Sequence, residues 1–395
     1  MKAGSKVSRE VLEAADLVIV GAGFFGLTIA ERASHEYGAK VVILEKRSHI
    51  GGNAYSYTDA ESGVEVHKYG SHLFHTSNAK VWEYVNRFTS FNEYRHTVVA
   101  KHGDQFYSLP INLGTLSQIF GRNFSPEEAR ELITREALRE GITNPQNLEE
   151  KAIMSVGRRV YEALIKNYTL KQWKTDPKLL PPEVIARLPV RFNFNNRYFN
   201  DTWEGLPLIG YTAWQEAMVT DPLISLWFDH DYFDCKESIP ASTPVVYTGP
   251  IDRYFEYQDG LLGWRTLDFE TETLSQNDFQ GTSVMNYSDL DVDFTRIHEF
   301  KHLHPERQSV EGKTVIMKEF SREAGKEDDP YYPIHSAQDR KILDRYRAKQ
   351  EQVDNVVFGG RLGTYLYLDM HMAIASALNT FESQVTPLLA RKMES

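Results

Sequence analysis

The residues with the most pointed chemistry come early. Gly21-Ala22-Gly23-Phe24-Phe25-Gly26 is a Gly-x-Gly-x-x-Gly run. It lies between a short apolar segment, residues 17–20, and a stretch of helical periodicity reaching about Tyr37. In that setting the first glycine makes a tight turn and the second lets backbone approach a pyrophosphate at the helix N-terminus. The third lets helix and strand pack closely. Residues 41–44 are a second apolar run, and Glu45 ends it 19 residues after Gly26, where an acid meets an adenosine ribose. The pattern predicts a dinucleotide-binding βαβ unit. His67, His72 and His75 follow in VHKYGSHLFHT. A metal needs convergent ligands with orienting partners, and spacings of five and three off a helix do not supply them, so no metal is predicted. A histidine there is placed to hydrogen-bond a bound cofactor, or to pack in the core.

Something must hold these groups. The chain has 395 residues, enough for two or three domains, and its 41% apolar and 25% charged content excludes general disorder. A net charge of -11 does not suit polyanion binding, so nucleic acid is not an expected partner. A single cysteine, Cys235, permits no internal disulfide. No apolar stretch is long enough for a signal peptide core or a membrane span, and the expectation is a soluble cytoplasmic protein.

Residues 78–188 read mainly helical: Val81, Tyr84, Val85 and Phe88 recur at helical spacing. Ser125-Pro126-Glu127-Glu128 is a capping box closed by Gly141, and Asn147 starts another helix. Residues 189–204 and 243–320 alternate apolar and polar residues, as in RFNFNNRYF, RTLDFETETL, TSVMNY, RIHEF and TVIMKEF, and predict antiparallel strands. The charged run at 322–329 reads as a solvated loop with no function. Residues 355–378 read as strand, glycine turn and helix. The fold class expected is α/β. A discontinuous Rossmann-like domain (1–80, 205–255 and 350–395) holds an inserted helical domain (81–188) and an inserted antiparallel sheet domain (189–204 and 256–349).

Arg47 followed by Gly51-Gly52-Asn53 resembles the FAD-binding signature of glutathione-reductase-type and amine-oxidase-type flavoproteins. No second Gly-x-Gly-x-x-Gly unit follows, so no separate nicotinamide domain is expected. A longer series is more specific: GAGFFG, HIGGNAY, VHKYGSHLFHT, NYTLKQW, RLPVRFNFNNRYF, GYTAW, VVYTGP, GWRTLDFE, VMNYSDLDVDFTRIHEF, PYYPI and GGRLGTYLYLDMHMAIA. In this order, over about residues 16–382, the series resembles bacterial UDP-galactopyranose mutases.

The resemblance implies a flavoenzyme that interconverts UDP-galactopyranose and UDP-galactofuranose, with N5 of reduced FAD as nucleophile at the anomeric carbon and UDP as leaving group. It implies a cytoplasmic homodimer in galactofuranose and cell-wall biosynthesis. Arg187 and Arg296 match two arginines on the diphosphate, Arg187 on a mobile lid; bidentate guanidinium pairing suits that role. Tyr198, Tyr332 and Tyr367 match phosphate donors. Tyr168, Thr169 and Trp173 match the uridine region, with Tyr168 stacking on uracil. Asn286 matches a substrate-site asparagine, and Asp369 an acid at the flavin–substrate boundary. His72 matches a histidine beside the isoalloxazine. The cofactor side comprises Gly21, Gly23, Phe24, Phe25, Gly26, Glu45, Lys46, Arg47, Gly52, Asn53, His67, His72, Tyr247, Gly249, Arg361, Tyr367, Leu368 and Asp369. Asp369 also fits helix capping.

One departure stands out. Many bacterial members carry Phe and Gly where this chain has Leu164 and Asn167, which removes one ring of the uracil clamp. Two rival readings share the glycine motifs. One is an amine-oxidase-like flavin oxidoreductase, the other a flavin-binding sensor or structural subunit without the paired arginines.

Overall fold

The apolar runs at the start of the chain become the centre of a five-stranded parallel sheet. Its order is Val356–Phe358, Val245–Tyr247, Leu17–Val20, Val41–Leu44, Ile224–Trp227. Alternate residues serve opposite faces: Leu17, Ile19, Val41 and Ile43 enter one core, and Val18, Val20, Val42 and Leu44 another. A sheet buried on both sides needs such unbroken apolar strands. The helix Phe24–Tyr37 returns the chain between the first two strands and ends at Gly38 in the left-handed region. The computed structural model describes residues 6–185 and 188–394.

A seven-stranded sheet forms the second layer. Its order is Tyr332–Pro333, Trp264–Leu274, Thr314–Glu323, Arg296–Glu299, Val284–Tyr287, Val98–His102, Gln105–Leu109. All its pairings are antiparallel except the one between Val284–Tyr287 and Val98–His102. A third core lies among the helices Leu113–Phe120, Pro126–Arg139, Leu148–Val156 and the turns that follow. The capping box at Ser125 and Glu128 forms in both directions, and Asn147 caps Leu148–Val156 by accepting from Glu150 N at 3.0 Å.

Three expectations need correction. Residues 98–109 lie in the stretch read as helical, yet they form a hairpin on the edge of the large sheet. The Val98-Val99 pair favours strand, and Gly103, at φ 56°, makes the turn. Residues 189–204 were expected as sheet. Outside an Ile111–Val190 bridge they are irregular until Trp203–Gly205, which pairs with Phe74–Thr76 apart from the seven-stranded sheet. Asn193 and Asn195 accept backbone N–H groups two residues ahead, and Arg191 gathers the carbonyls of Asn195, Arg197 and Tyr198, so local bonds replace a ladder. At the C-terminus the expected helix is two, Gly360–Thr364 and Met370–Thr380, broken where Tyr365 adopts φ 54°.

Candidate active site

One cavity of about 1060 Å³ runs from the C-terminal edge of the parallel sheet, between the layers, to the helical domain. Its first end is the glycine loop. A Cβ at Gly26 would sit 2.2 Å from the carbonyl oxygen of Gly21, so only glycine lets the helix meet the strand. A Cβ at Gly23 would meet nothing within 4 Å, and no side chain caps the helix it begins. Open space at bare helix N–H groups is what a pyrophosphate requires. At Gly52, φ 58°, an added Cβ would lie 3.5 Å from Gly23 Cα, so a side chain there would stand against the glycine loop.

Glu45 is buried, and burial pushes its carboxyl upward. Its oxygens accept from Ala22 N at 2.7 Å and Arg47 N at 2.9 Å, fixing both loops that border the crevice. Arg47 donates to Asn53 Oδ1 at 3.0 Å, pairs with Asp329 Oδ1 at 2.9 Å, and lies over the Tyr69 ring. Asp329 belongs to the charged run read as a solvated loop; residues 326–329 of that run line this cavity. Across the crevice, Arg361 donates to the carbonyls of Pro330 and Tyr331, and among the described residues no carboxylate pairs with it. Burial holds its pKa below the ordinary value. A half-buried cation paired with no carboxylate among the described residues suits an anionic ligand. These features fit a flavin dinucleotide.

His72 is in the wall beyond the glycine loop. Its Nδ1 donates to Gly70 O at 2.8 Å, which leaves Nε2 as the acceptor. Burial, then Arg361, push its pKa down to about 4, so the ring is neutral. His67 is not in the wall: it lies behind His72, Nδ1 accepting from His72 N at 3.0 Å, against Tyr211 and Phe300. His75 is bound to Asp201 at 2.8 Å.

The other end of the cavity is built on paired strands. Asn286 stands opposite Arg296, and Arg296 opposite Glu319. Arg296 Nη2 donates to Tyr168 Oη, and its Nε is 3.3 Å from Glu319 Oε1. Glu319 is 3% exposed; burial opposes its ionisation, but Arg296, His298 and Thr295 together hold the carboxyl below the ordinary range. His298 Nε2 lies 3.1 Å from Glu319 Oε2, and its Nδ1 is 2.8 Å from Ser71 Oγ, beside His72. This chain from Ser71 to Tyr168 was not foreseen; Glu319 and His298 are inward polar residues of strands whose register sequence alone does not reveal. Among the described residues, the buried Oδ1 of Asn286 has no hydrogen-bond partner.

Tyr332 and Tyr367 stack with ring centroids 5.8 Å apart, and burial raises both phenols, keeping them protonated donors. Tyr168, Thr169, Trp173, Tyr198, Asn286, Tyr332, Leu368 and Asp369 line this same cavity, as do Lys46, Tyr247 and Gly249 near the glycine loop. Asp369 occupies the N-cap position of Met370–Thr380 but makes no side-chain cap, so capping does not account for it. Leu164 lines the cavity, in a π-helical turn preceding Asn167–Trp173. Arg187 lies outside the described residues; its neighbours Ile185 and Leu188 line the cavity.

A dinucleotide crevice that opens into an arginine- and tyrosine-lined chamber defines a nucleotide-cofactor enzyme, with a second sheet inserted between the strands of its parallel sheet. Residues 19–88 match the model of an NAD(P)-binding Rossmann-like domain, and residues 163–367 that of UDP-galactopyranose mutase. A probable UDP-galactopyranose mutase of Klebsiella pneumoniae is 45% identical over 92% of this chain and 93% of its own. A dTDP-fucopyranose mutase of Escherichia coli is 39% identical over 92% and 96%. The chain belongs to the UDP-galactopyranose mutase family, whose members are isomerases. The fold is that of a crystal structure of a reduced UDP-galactopyranose mutase, with TM-score 0.67 at 15% identity, covering 96% of this chain and 98% of that one. Putrescine oxidase is more distant in fold, with TM-score 0.54 at 12% identity over 94% and 99%.

Proposed function

We propose that this protein interconverts UDP-galactopyranose and UDP-galactofuranose with reduced FAD. The observation that carries the reading is the continuity of the cavity: the glycine loop and Arg361 at one end share it with Arg296, Tyr168 and the stacked Tyr332 and Tyr367 at the other. What FAD supplies when bound and reduced is a nucleophilic nitrogen, N5, for the anomeric carbon.

The protein's part is to bind, orient and shield. Gly23, Gly52 and the helix N-terminus accept the dinucleotide's pyrophosphate, with Glu45 toward its ribose. Arg361 and the N-terminus of Met370–Thr380 offset negative charge on the ring. Neutral His72 presents its Nε2 lone pair there. Arg296 grips the departing diphosphate, helped by the hydroxyls of Tyr198, Tyr332 and Tyr367, and Arg187 is the second cation proposed for that charge. Tyr168 takes the uracil face, with Leu164 an apolar rather than an aromatic opposite side. Val184, Ile185, Leu188 and Pro189 close the chamber with apolar surface, which keeps water from the activated sugar. Family membership extends the proposal to a cytoplasmic homodimer serving cell-wall galactofuranose.

The test is to purify the protein, record its flavin spectrum, reduce it with dithionite and chromatograph UDP-galactofuranose and dTDP-fucofuranose after incubation. A yellow protein active only when reduced, and with the UDP sugar, is expected. Equal activity of oxidised enzyme and apoprotein overturns the flavin role, and preference for the dTDP sugar overturns the substrate.

A further inference from the structure

The charged run after the strand Thr314–Glu323 is held at both ends and crosses the dinucleotide crevice in between. On its own side, the Arg322 guanidinium grips both oxygens of Asp328, at 2.6 and 2.8 Å, and Gly325 N donates to Asp328 Oδ2 at 2.7 Å. Tyr331 N donates to Arg265 O at 2.9 Å, and Thr266 Oγ1 donates to Asp329 O at 2.8 Å. The next contacts reach outside the seven-stranded sheet. The Asp329 carboxylate meets Arg47 Nη2 at 2.9 Å. The carbonyls of Pro330 and Tyr331 accept from Arg361. Lys326 Nζ sits 4.4 Å from the centroid of the Tyr257 ring.

Topology says what lies beneath. Arg47 follows the strand Val41–Leu44 and Arg361 follows Val356–Phe358. In the parallel sheet these strands are separated by Leu17–Val20 and Val245–Tyr247. The two anchors therefore belong to strands three spacings apart, roughly 14 Å at ~4.8 Å per strand. The glycine loop that follows Leu17–Val20 emerges between them. All the anchors line the same cavity. A segment from the substrate domain thus bridges the crevice of the nucleotide domain, and its only carboxylate reaching across pairs with a cofactor-side arginine.

We propose that residues 324–331 are a strap that retains the dinucleotide, latched by the Asp329–Arg47 ion pair and released when that pair opens. The inference rests on the FAD reading above. A dinucleotide seated on the glycine loop lies under a bridge tied at both banks, so it leaves only after one tie is undone. The Arg361 tie is made to backbone carbonyls and shares its arginine with the cofactor. The Asp329 tie is a side-chain ion pair, with Asp329 51% and Arg47 21% exposed, and is the one that opens readily.

The test uses the FAD-loaded holoprotein, and reads the rise of free-flavin fluorescence after dilution. Asp329→Asn, which removes the latch charge at an exposed position, is expected to speed FAD release about three- to fivefold, the scale of a partly exposed ion pair. Glu327→Gln removes the same charge from the same strap without touching the latch, and is expected to release FAD at the parent rate. Raising salt from low to about 0.5 M should bring the parent rate up to that of Asp329→Asn, because salt screens an exposed pair. Unchanged release from Asp329→Asn overturns the strap, as does equal acceleration by Glu327→Gln, or a difference between parent and variant that survives high salt. A protein that binds no flavin at all refutes the FAD reading itself, which keeps the two failures distinct.

Discussion

Arg296→Ala removes a side chain with two separable jobs. The first is structural. Its Nη2 donates to Tyr168 and its Nε is 3.3 Å from Glu319, which is 3% exposed. Cutting one partner from a buried pair costs ~3–5 kcal/mol when the remaining charge is abandoned. Glu319 is not abandoned: His298 Nε2 stays at 3.1 Å and Thr295 Oγ1 at 3.2 Å, and the Arg296 side chain is itself 26% exposed. The stability loss should therefore be nearer 1–2 kcal/mol, by the discount that exposure imposes. The second, proposed job is charge stabilisation on the leaving diphosphate, and losing one preorganised group of that kind lowers turnover by ~10²–10³. Flavin content should hold, since Arg296 is on a strand of the large sheet and not on the glycine loop. Arg296→Lys keeps the charge but not the planar fork that reaches Tyr168 and Glu319 together, and should recover only part of the turnover. The assay is chromatographic conversion of UDP-galactofuranose by dithionite-reduced enzyme, with UDP affinity by calorimetry and the thermal midpoint alongside. Near-normal turnover in Arg296→Ala, or a fall no larger than the stability loss explains, would refute the reasoning.

Three further outcomes are expected. Leu164→Phe should tighten UDP binding by ~1 kcal/mol, the worth of an added aromatic contact, because Leu164 lines the cavity one turn before Tyr168; weaker binding by calorimetry would mean the ring turns into the helical core instead. Gly26→Ala should yield flavin-free or poorly folded protein, since the new Cβ would lie 2.2 Å from Gly21 O, and a normal flavin-to-protein absorbance ratio would contradict this. Stability should fall as pH drops below about 6.5, the unfolded histidine value. Burial lowers His67 to about 3, His72 to about 4 and His96 to about 3, so in that window the unfolded chain binds more protons and each group contributes stability only above it. His96→Gln should flatten the urea midpoint's dependence on pH by about one proton, and an unchanged slope would count against the assignment.

How much of this was legible depended on how far each residue's partner lies along the chain. The strands Leu17–Val20 and Val41–Leu44 were readable because burial on both faces leaves an unbroken apolar run, and the glycine loop because its geometry is a property of adjacent residues. The hairpin at 98–109 was hidden inside helical text, since five-residue strands carry too short a period to stand out. RFNFNNRYF alternates like a strand, yet its asparagines satisfy backbone N–H groups locally, and only scattered backbone bonds, such as Arg191 N to Ile111 O, reach other segments. Asp329 read as a solvated charge because its partner, Arg47, comes from the other domain.

The substrate end was legible only in part, for a related reason. Arg296 announces itself by its flanking residues, but what aims it does not. Glu319 faces Arg296 because the strands Arg296–Glu299 and Thr314–Glu323 pair antiparallel in one register. His298, two residues on, shares that face and reaches Ser71 beside His72. A slip of one residue would turn Glu319 to the opposite face and leave Arg296 without its carboxylate. The apolar residues on the opposite face of these strands, Ile297 and Ile316, are both buried and touch no part of the proposed chemistry. Core packing on one face thus sets the orientation of the guanidinium on the other, and Ile297 bears on the proposed diphosphate site only through the strand it holds in place.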